Sequence, residues 1–550
     1  MKQSLLARGM RLAAPLGLAT LAGCATLAGG PGSTPESGTD PALTAVSAKP
    51  AASAPESRVS ASSLRPFAEV VRGAKRQGGL LATWQRDDKV WIELPPAALN
   101  QPFFLSPKLK SGIGEGRLFG GLMRDEFVIE FRRVHNQVQM IARNTAYVAS
   151  AGTPTGRAVS AAFSPSLLAS TAVASRPHPD SDAVLVEANA LFLTDLLGTG
   201  AQLQRQYKQG YSFDARNSAI TAVRSTPELT VLEVLNHFAD SSISAPKSGG
   251  ASVPRSLPDP RSLFVTYHYS IAKLPEQPMT PRRADARIGH FSTVVNDFSD
   301  DLARSPRQRF VNRWRLEKQN PAAAMSEPVE PITFWLDRTI PEKYRAAITA
   351  GVLEWNKAFE QIGFQGAIRV AEQPEDADWD TLDFGRASIR WMTNARPSFG
   401  AIGPSHVDPR TGEILDADIG VESLSSRSLR ALRSQVIAKP VESLQAHDAA
   451  HDLALCDYAD HAAEQLSYAL DVLEARGDLD PASPEAAQFV DAYLKDTTMH
   501  EVGHTLGLRH NFRSSRLYTA EQLADRAFTE AHGLTGSVME YAPINLPPPG

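Results

Sequence analysis

The sequence is poor in the features that mark several protein classes. Only two cysteines, Cys24 and Cys456, occur in 550 residues, so a disulfide framework is excluded and stability must come from core burial. The formal net charge of −5 shows no basic excess and argues against nucleic acid as a partner. After the N-terminus no apolar run is long enough to cross a bilayer. The hydrophobic content of 42% and charged content of 21% are typical of a globular protein, and the length predicts two to four domains.

The N-terminus has the pattern of a secretory leader. An apolar run at residues 12–21, too short to span a bilayer, follows the basic residues Lys2, Arg8 and Arg11. The run closes with Leu21-Ala22-Gly23-Cys24, which resembles the lipobox of bacterial lipoproteins. That resemblance implies a signal peptide at 1–24, lipid on Cys24 and a membrane anchor in the bacterial cell envelope; Ala25 resembles the outer-membrane sorting pattern. The alternative is an ordinary leader cut near Ala28, with secretion to the periplasm.

Three segments of different character follow the leader. Residues 25–63 are rich in Ala, Ser, Pro and Gly and predict a flexible linker. Residues 64–275 contain short β-like runs at 89–94, 127–131, 138–141, 185–187 and 265–269, which predict an antiparallel β-rich module. Its role stays open between a propeptide-like cover, a substrate platform and a scaffold. Residues 276–330 form a connector whose prolines, Pro278 and Pro281, favour an extended, irregular path.

A mixed α+β pattern begins at residue 331. Strands are predicted at 332–336 and 387–391. Between them one continuous helix is predicted from Pro341 to Gly363, with its apolar face at Tyr344, Ile348, Val352, Trp355, Phe359 and Ile362. The turn at 408–412 contains Pro and Gly and predicts a hairpin leading into a strand at 414–421.

The segment 422–482 reads as helical and polar. His447, His451, Cys456 and His461 raise the question of a second metal site, against the simpler interpretation of histidines on a solvated helix. Ser483 and Pro484 then predict a helix start. A capping box is predicted at 519–522, before a short helix.

The strongest motif runs from Thr498 to Phe512 and reads T-M-H-E-V-G-H-T-L-G-L-R-H-N-F. His500 and His504 are four residues apart, so a helix places both imidazoles on one face, where they can bind one Zn²⁺. Glu501 can hold a water in the metal's open position. Gly507 can end the helix in a left-handed turn, which lets His510 return as the third ligand. Three protein ligands and one water are typical of a catalytic zinc site, whereas the simplest alternative has these histidines on the surface of a helix.

These residues resemble the zinc-binding consensus of the metzincin metallopeptidases. Ser537-Val538-Met539-Glu540-Tyr541 resembles their Met-turn, which implies that Met539 is an apolar floor under the metal and Tyr541 a candidate oxyanion stabiliser; the alternative for Tyr541 is an ordinary packed aromatic. Residues 281–287 and 410–414 also resemble a family of bacterial lipoproteins described as zinc-dependent metalloproteases. The resemblance implies a twisted sheet with a backing helix, in a catalytic domain at 331–550 that is incomplete at its C-terminus.

The resemblance also bears on three other positions. It implies that the strand at 414–421 is the sheet edge that receives the substrate, against an internal strand without a ligand. An upstream aspartate blocks the zinc in some metzincins, but for Asp285 we expect a surface ion pair. Cys456 could cap the zinc as a thiolate, but its place just before the zinc helix favours a buried free thiol.

The sequence therefore predicts an endopeptidase with one catalytic Zn²⁺ and Glu501 as general base, acting on a peptide or protein substrate. The main alternative is a lipoprotein that binds zinc and a cell-envelope partner but has little or no turnover. A third interpretation replaces His510 by a distal glutamate as the third ligand.

Overall fold

Antiparallel pairing of apolar strands builds the N-terminal half. The computed structural model describes residues 64–243, 252–395, 399–423, 456–480 and 483–546. The predicted signal peptide with Cys24, the linker 25–63, and His447 and His451 lie outside the described residues. None of the described helices is long and apolar enough to cross a membrane.

Two antiparallel sheets share the larger hydrophobic core, which draws on residues between Leu81 and Ile271. One has the strand order β1-β2-β3-β9, and the other β10-β12-β13-β4-β5-β6-β8, with β11 paired to β12. The strands are β1 (Lys75–Gln77), β2 (Ala82–Arg86), β3 (Lys89–Leu94), β4 (Phe103–Ser111), β5 (Phe127–Val134), β6 (Gln137–Ala142), β7 (Tyr147–Val148), β8 (Ser166–Ala172), β9 (Val184–Glu187), β10 (Ser212–Phe213), β11 (Ala219–Ser225), β12 (Leu229–Ala239) and β13 (Ser262–Lys273). Short helices lie between them: α1 (Phe67–Val70), α2 (Pro154–Ala162), α3 (Ala188–Phe192) and α4 (Thr199–Tyr207). The β-rich character predicted for this region is confirmed.

The predicted connector contains a hairpin as well as irregular chain. β14 (Ser292–Asp297) pairs antiparallel with β15 (Arg307–Val311), and β14 also pairs with β7. Asp285 forms an exposed ion pair with Arg287, 2.6 Å between Oδ2 and Nη2, so the expected surface pair is confirmed.

The C-terminal half contains a mixed sheet built from β16 (Ile332–Leu336), β17 (Ile368–Glu372), β18 (Ser388–Met392), β19 (Ala401–Ile402), β20 (Ser405–Asp408) and β21 (Glu413–Glu422). Its order is β17-β16-β18-β21-β19, with the first four strands parallel and β19 and β20 both antiparallel to β21. The prediction that 414–421 forms the sheet edge is wrong, because β19 and β20 cover the side of β21 that faces away from β18. The predicted hairpin at 408–412 is confirmed.

Helices pack on this sheet through a second core. They are α5 (Glu342–Leu353), α6 (Trp355–Gln361), α7 (Tyr458–Arg476), α8 (Pro484–Thr505), α9 (Ala520–Ala524) and α10 (Arg526–His532). The predicted single helix is divided at Glu354, although that residue keeps helical backbone angles, and Ile362 is 65% exposed rather than on the buried face. Tyr344, Ile348 and Val352 do face the core and pack against α8. Helix α8 begins at Pro484 as predicted, but Ser483 makes no side-chain cap, whereas the capping box at 519–522 is present.

The two halves meet through buried polar groups on β4, β20 and β21. Lys108, with no exposed side-chain surface, lies 2.7 Å from a carboxylate oxygen of Asp416 and 2.6 Å from one of Asp418. His406 bridges the same interface, with Nδ1 3.0 Å from Ser106 Oγ and Nε2 2.7 Å from the Arg124 carbonyl oxygen. The β-rich half is thus fastened to strands β20 and β21, the second of which lies beside helix α8.

Candidate metal centre

Helix α8 carries the first two histidines and the glutamate of the motif. His500 and His504 lie one turn apart on a buried face, with ring centroids 4.9 Å from each other. Glu501 is fully buried beside them. The helical spacing predicted from the sequence therefore holds, and the alternative of surface histidines is wrong.

Gly507 turns the chain back toward the helix. Helix α8 ends at Thr505, and Gly507 adopts φ +95°, a conformation that costs glycine little. A Cβ at this position would lie 2.1 Å from the carbonyl oxygen of Asn312, so no other residue fits. The reversal brings His510 to the helix, with its Nε2 3.1 Å from Nε2 of His504.

Backbone carbonyls orient the two helical imidazoles. Nδ1 of His500 lies 2.7 Å from the carbonyl oxygen of Val538, and Nδ1 of His504 lies 2.9 Å from that of Leu508. A carbonyl oxygen only accepts, so each Nδ1 carries the proton and donates it. Each Nε2 then presents a lone pair to the common centre, which is the orientation that metal-binding histidines need.

Cys456 joins the three histidines. Its sulfur lies 3.4 Å from Nε2 of His500 and 3.4 Å from Nε2 of His510, and all four donor atoms lie within 4.8 Å of one another. Cys456 is a buried free thiol, as predicted, but it lies at this site rather than in inert core. Cys456 therefore belongs to this cluster and not to the second metal site that the sequence raised as a question. His461, another residue of that question, lies on α7 and stacks on the ring of Tyr541.

The environment keeps the imidazoles neutral. Burial, together with the neighbouring His504, lowers the pKa of His500 to about 2. Burial also lowers the pKa of His504 to about 4 and moves the pKa of His510 downward. Neutral imidazole is the form that ligates a metal ion, so these nitrogens need not lose a proton at neutral pH.

The carboxylate of Glu501 lacks partners. Neither of its oxygens has a well-formed hydrogen bond to another described residue, although a buried polar group is nearly always satisfied. Burial raises the pKa of Glu501 to about 8, and the nearby Cys456 thiol acts in the opposite direction. A buried carboxyl with a raised pKa beside a metal-type cluster is a candidate general base or acid.

Met539 forms the floor of the cluster. It is 2% exposed, and its sulfur would lie 2.2 Å from a Cβ placed on Gly503, so the glycine inside the motif allows close packing. The carbonyl oxygen of Met539 also accepts a hydrogen bond from the backbone of Asn511, at 2.8 Å, next to His510. The resemblance implied a place for Met539 beneath the metal site, and in the structure Met539 packs against Gly503, which lies between the two histidines of helix α8.

The hydroxyl of Tyr541 points into the same centre. It lies 3.3 Å from the sulfur of Cys456 and accepts a hydrogen bond from the backbone N–H of Asp457, at 3.2 Å. The ring packs against His510 and Phe512, so Tyr541 is both a packed aromatic and a polar group of the site.

The donor set fits a zinc ion. A tetrahedral zinc with Zn–N of about 2.0–2.1 Å and Zn–S of about 2.3 Å separates two nitrogens by about 3.3 Å and a nitrogen from the sulfur by about 3.6 Å. Three of the six donor separations, the nitrogen pair at 3.1 Å and the two nitrogen–sulfur pairs at 3.4 Å, are within a few tenths of these values, and all four atoms lie within 4.8 Å of one another. No distal glutamate is needed as a ligand, because His510 lies within reach.

A cleft of about 540 Å³ opens beside His504 and Cys456. One wall is the Ile402–Ser405 stretch that leaves β19, and the other is the connector, which is tied to the loop after α8 by two backbone hydrogen bonds. Phe291 N–H donates to the Gly507 carbonyl oxygen, and Arg509 N–H donates to that of Gly289. This wall was not predicted from the sequence, because its residues lie some two hundred positions before helix α8.

The cleft is basic. Arg307, Arg309 and Arg509 are exposed along it, and no acidic residue is among the described residues that line it. Guanidinium groups of this kind favour carboxylates as partners.

Comparison with known protein families supports the C-terminal assignment. A family profile described as "Met-zincin" matches residues 482–550, which contain the three histidines, Glu501 and the Met-turn. A second profile, described as "Domain of unknown function (DUF5117)", matches residues 120–319 and so covers part of the β-rich region and most of the connector. No curated protein and no solved structure matches the chain significantly. The protein therefore combines a β-rich N-terminal region with a C-terminal metzincin-like domain.

Proposed function

We propose that the protein is a zinc-dependent endopeptidase. The observation that carries this proposal is the convergence of three imidazole Nε2 atoms beside a fully buried Glu501 whose oxygens have no well-formed hydrogen bond among the described residues. His500, His504 and His510 would hold the ion. The profile match over residues 482–550 supports the same conclusion.

Zinc, when bound, supplies a Lewis acid that acidifies a water ligand and polarises the scissile carbonyl. With the ion bound, Glu501 would accept a proton from the attacking water and deliver it to the leaving amine. Burial raises the pKa of Glu501 to about 8, and the charge of a bound cation would act in the opposite direction, which keeps the carboxylate available as a base at neutral pH. The Tyr541 hydroxyl would donate a hydrogen bond to the developing oxyanion. The protein acts on peptide segments lying in the cleft between the connector and the Ile402–Ser405 stretch, and the three arginines favour acidic side chains.

The substitution Glu501→Gln tests the assignment. We expect zinc content to stay at one ion per chain while peptide cleavage falls about 10²–10⁴-fold, because the amide cannot accept a proton. Metal analysis and a peptide library, applied to both proteins, measure the two quantities. Unchanged cleavage in the variant would remove Glu501 from the mechanism, and a library without enrichment of acidic residues would remove the arginines from specificity.

One observation favours a second function. The sulfur of Cys456 adds a fourth donor, and four protein ligands are typical of a structural zinc site. The protein would then be a zinc-stabilised binding lipoprotein of the cell envelope. The presence of Glu501 argues against this alternative, because a structural site has no use for a buried carboxylate without partners.

In both cases we propose that a lipid on Cys24 holds the protein at the bacterial outer membrane. Labelling with [³H]palmitate that is lost in Cys24→Ala tests this anchor.

A further inference from the structure

Cys456 lies at the histidine cluster, which is the alternative that its place in the sequence did not favour. Cys456 is 1% exposed, and its sulfur lies at nearly equal distances from two histidine nitrogens, 3.4 Å in each case. These separations are close to those expected between ligands of a tetrahedral zinc. The sulfur therefore lies where a fourth ligand belongs.

The groups that would act on a substrate are turned toward this sulfur. The Tyr541 hydroxyl receives the N–H of Asp457, so its single proton is free to point at the sulfur, 3.3 Å away. The carboxylate of Glu501, fully buried and without a well-formed hydrogen bond, faces the same point from the helix. In an open site a water would occupy the position between these two groups.

We propose that Cys456 is the fourth ligand of the same metal ion and that the described conformation is a closed, latent form of the enzyme. This inference rests on the proposed function. A thiolate is a strong zinc ligand, and while it is bound neither water nor a carbonyl oxygen can reach the ion. Release of the sulfur opens the position and frees the Tyr541 hydroxyl for the substrate.

Cobalt substitution tests the ligand directly. The experiment uses the full chain with Cys24→Ala, in which Cys456 is the one remaining thiol. After exchange of zinc for Co²⁺, we expect a near-ultraviolet sulfur-to-cobalt charge-transfer band of one thiolate per ion. The band disappears in Cys456→Ala, whereas the visible ligand-field bands of the histidine-bound cobalt remain. The buried substitution Ala469→Ser, further along α7, is the matched control and keeps the band.

Thiol protection and turnover give two further measurements. Cys456 is expected to resist iodoacetamide in the zinc form and to react after chelation. Cys456→Ala is expected to cleave peptides at least about tenfold faster than the parent chain, since the rate scales with the fraction of open sites. Circular dichroism and thermal unfolding establish that the variant is folded.

The outcomes separate the two proposals. Cobalt bound without the sulfur band, in a protein that cleaves peptides, would overturn the closed form and leave the peptidase intact. A band that is present while Cys456→Ala cleaves no peptide would make the cysteine a structural ligand and overturn latency. Failure of the parent chain and the variant to bind any metal would overturn the proposed function together with this inference.

Discussion

Two buried polar clusters of this protein differ in whether their polar groups find partners within the protein. Around Lys108, one ammonium lies between the carboxylates of Asp416 and Asp418, so each charge has an opposite charge within 2.7 Å. Around His500, the nitrogen lone pairs converge on one point and the Glu501 carboxylate has no well-formed hydrogen bond among the described residues. In the first cluster every charge lies within ion-pair distance of an opposite charge of the protein itself, and the excess of one carboxylate shows in the pKa of Asp416, which burial and the neighbouring Asp418 raise. The second cluster would gain its partners from a metal ion and a substrate, and this difference is the one expected between a structural site and a functional one.

The largest effect is expected from breaking the complete cluster. Lys108→Met leaves Asp416 and Asp418 buried without a counter-charge, and removing one partner of a buried ion pair costs about 3–5 kcal/mol. Urea unfolding followed by tryptophan fluorescence measures the loss. The protein should unfold at a clearly lower urea concentration than the parent chain.

The matched control neutralises the whole cluster. Asn at 416 and 418 keeps the oxygens that accept from Ala417 N–H and from the Ser388 hydroxyl. The triple variant Lys108→Met, Asp416→Asn, Asp418→Asn should therefore recover at least half of the lost stability. If Lys108→Met alone unfolds at the urea concentration of the parent chain, the cluster is not the structural contact that we describe.

A smaller effect is expected from crowding the floor of the metal cluster. Gly503→Ala places a methyl group about where the Met539 sulfur lies, and overpacking of this kind costs about 1–3 kcal/mol. Zinc affinity should fall because α8 must shift relative to the Met-turn. Competition with a chromophoric chelator measures that affinity. In the double variant Gly503→Ala, Met539→Ala the contact with the Met539 sulfur is removed, while the Trp355 ring remains 2.9 Å from the added Cβ. Affinity should therefore recover in part, and no recovery at all would argue against the Met539 contact as the cause.

The smallest effect concerns acid stability at the interface of the two halves. Burial alone would raise the pKa of Asp383, but hydrogen bonds from His268 and Arg224 outweigh it, so the pKa is lower in the folded protein than in the unfolded chain. The stabilisation is present in full above the unfolded value, near pH 4, and is lost as pH falls through the folded pKa. It should amount to about 1 kcal/mol, as for a typical hydrogen bond. As the pH falls from 6 to 3, the urea midpoint of Asp383→Asn should decrease less steeply than that of the parent chain. Equal slopes for the two proteins would show that the Asp383 carboxylate does not contribute to acid stability.

The sequence predicts local features where one short pattern determines them. The strands at 89–94 and 332–336 have the predicted bounds, since an apolar run ends at a turn on each side. The H-E-x-x-H-x-x-G-x-x-H spacing likewise predicts the helix, the reversal at Gly507 and the meeting of three histidines. These features depend on contacts within a few residues along the chain.

Features that depend on distant contacts were not predictable. Cys456 lies 44 residues before His500, and no local pattern links the two. The carbonyl of Val538 that orients His500 is a backbone group and leaves no trace in residue type. The edge of the mixed sheet was assigned to the wrong strand, because β19, which pairs antiparallel with β21, is only two residues long and has no recognisable sequence pattern.

The backbone ties between Phe291 and Gly507 and between Arg509 and Gly289 have a practical consequence for anyone dividing this chain. A fragment that begins at residue 331, just before strand β16, would keep every group of the motif. It would lose the segment whose backbone hydrogen bonds hold the loop that carries His510. Since Val311 N–H also donates to the Arg282 carbonyl oxygen, that segment is anchored from residue 282 onward. A fragment meant to preserve the candidate metal centre must therefore start upstream of Arg282.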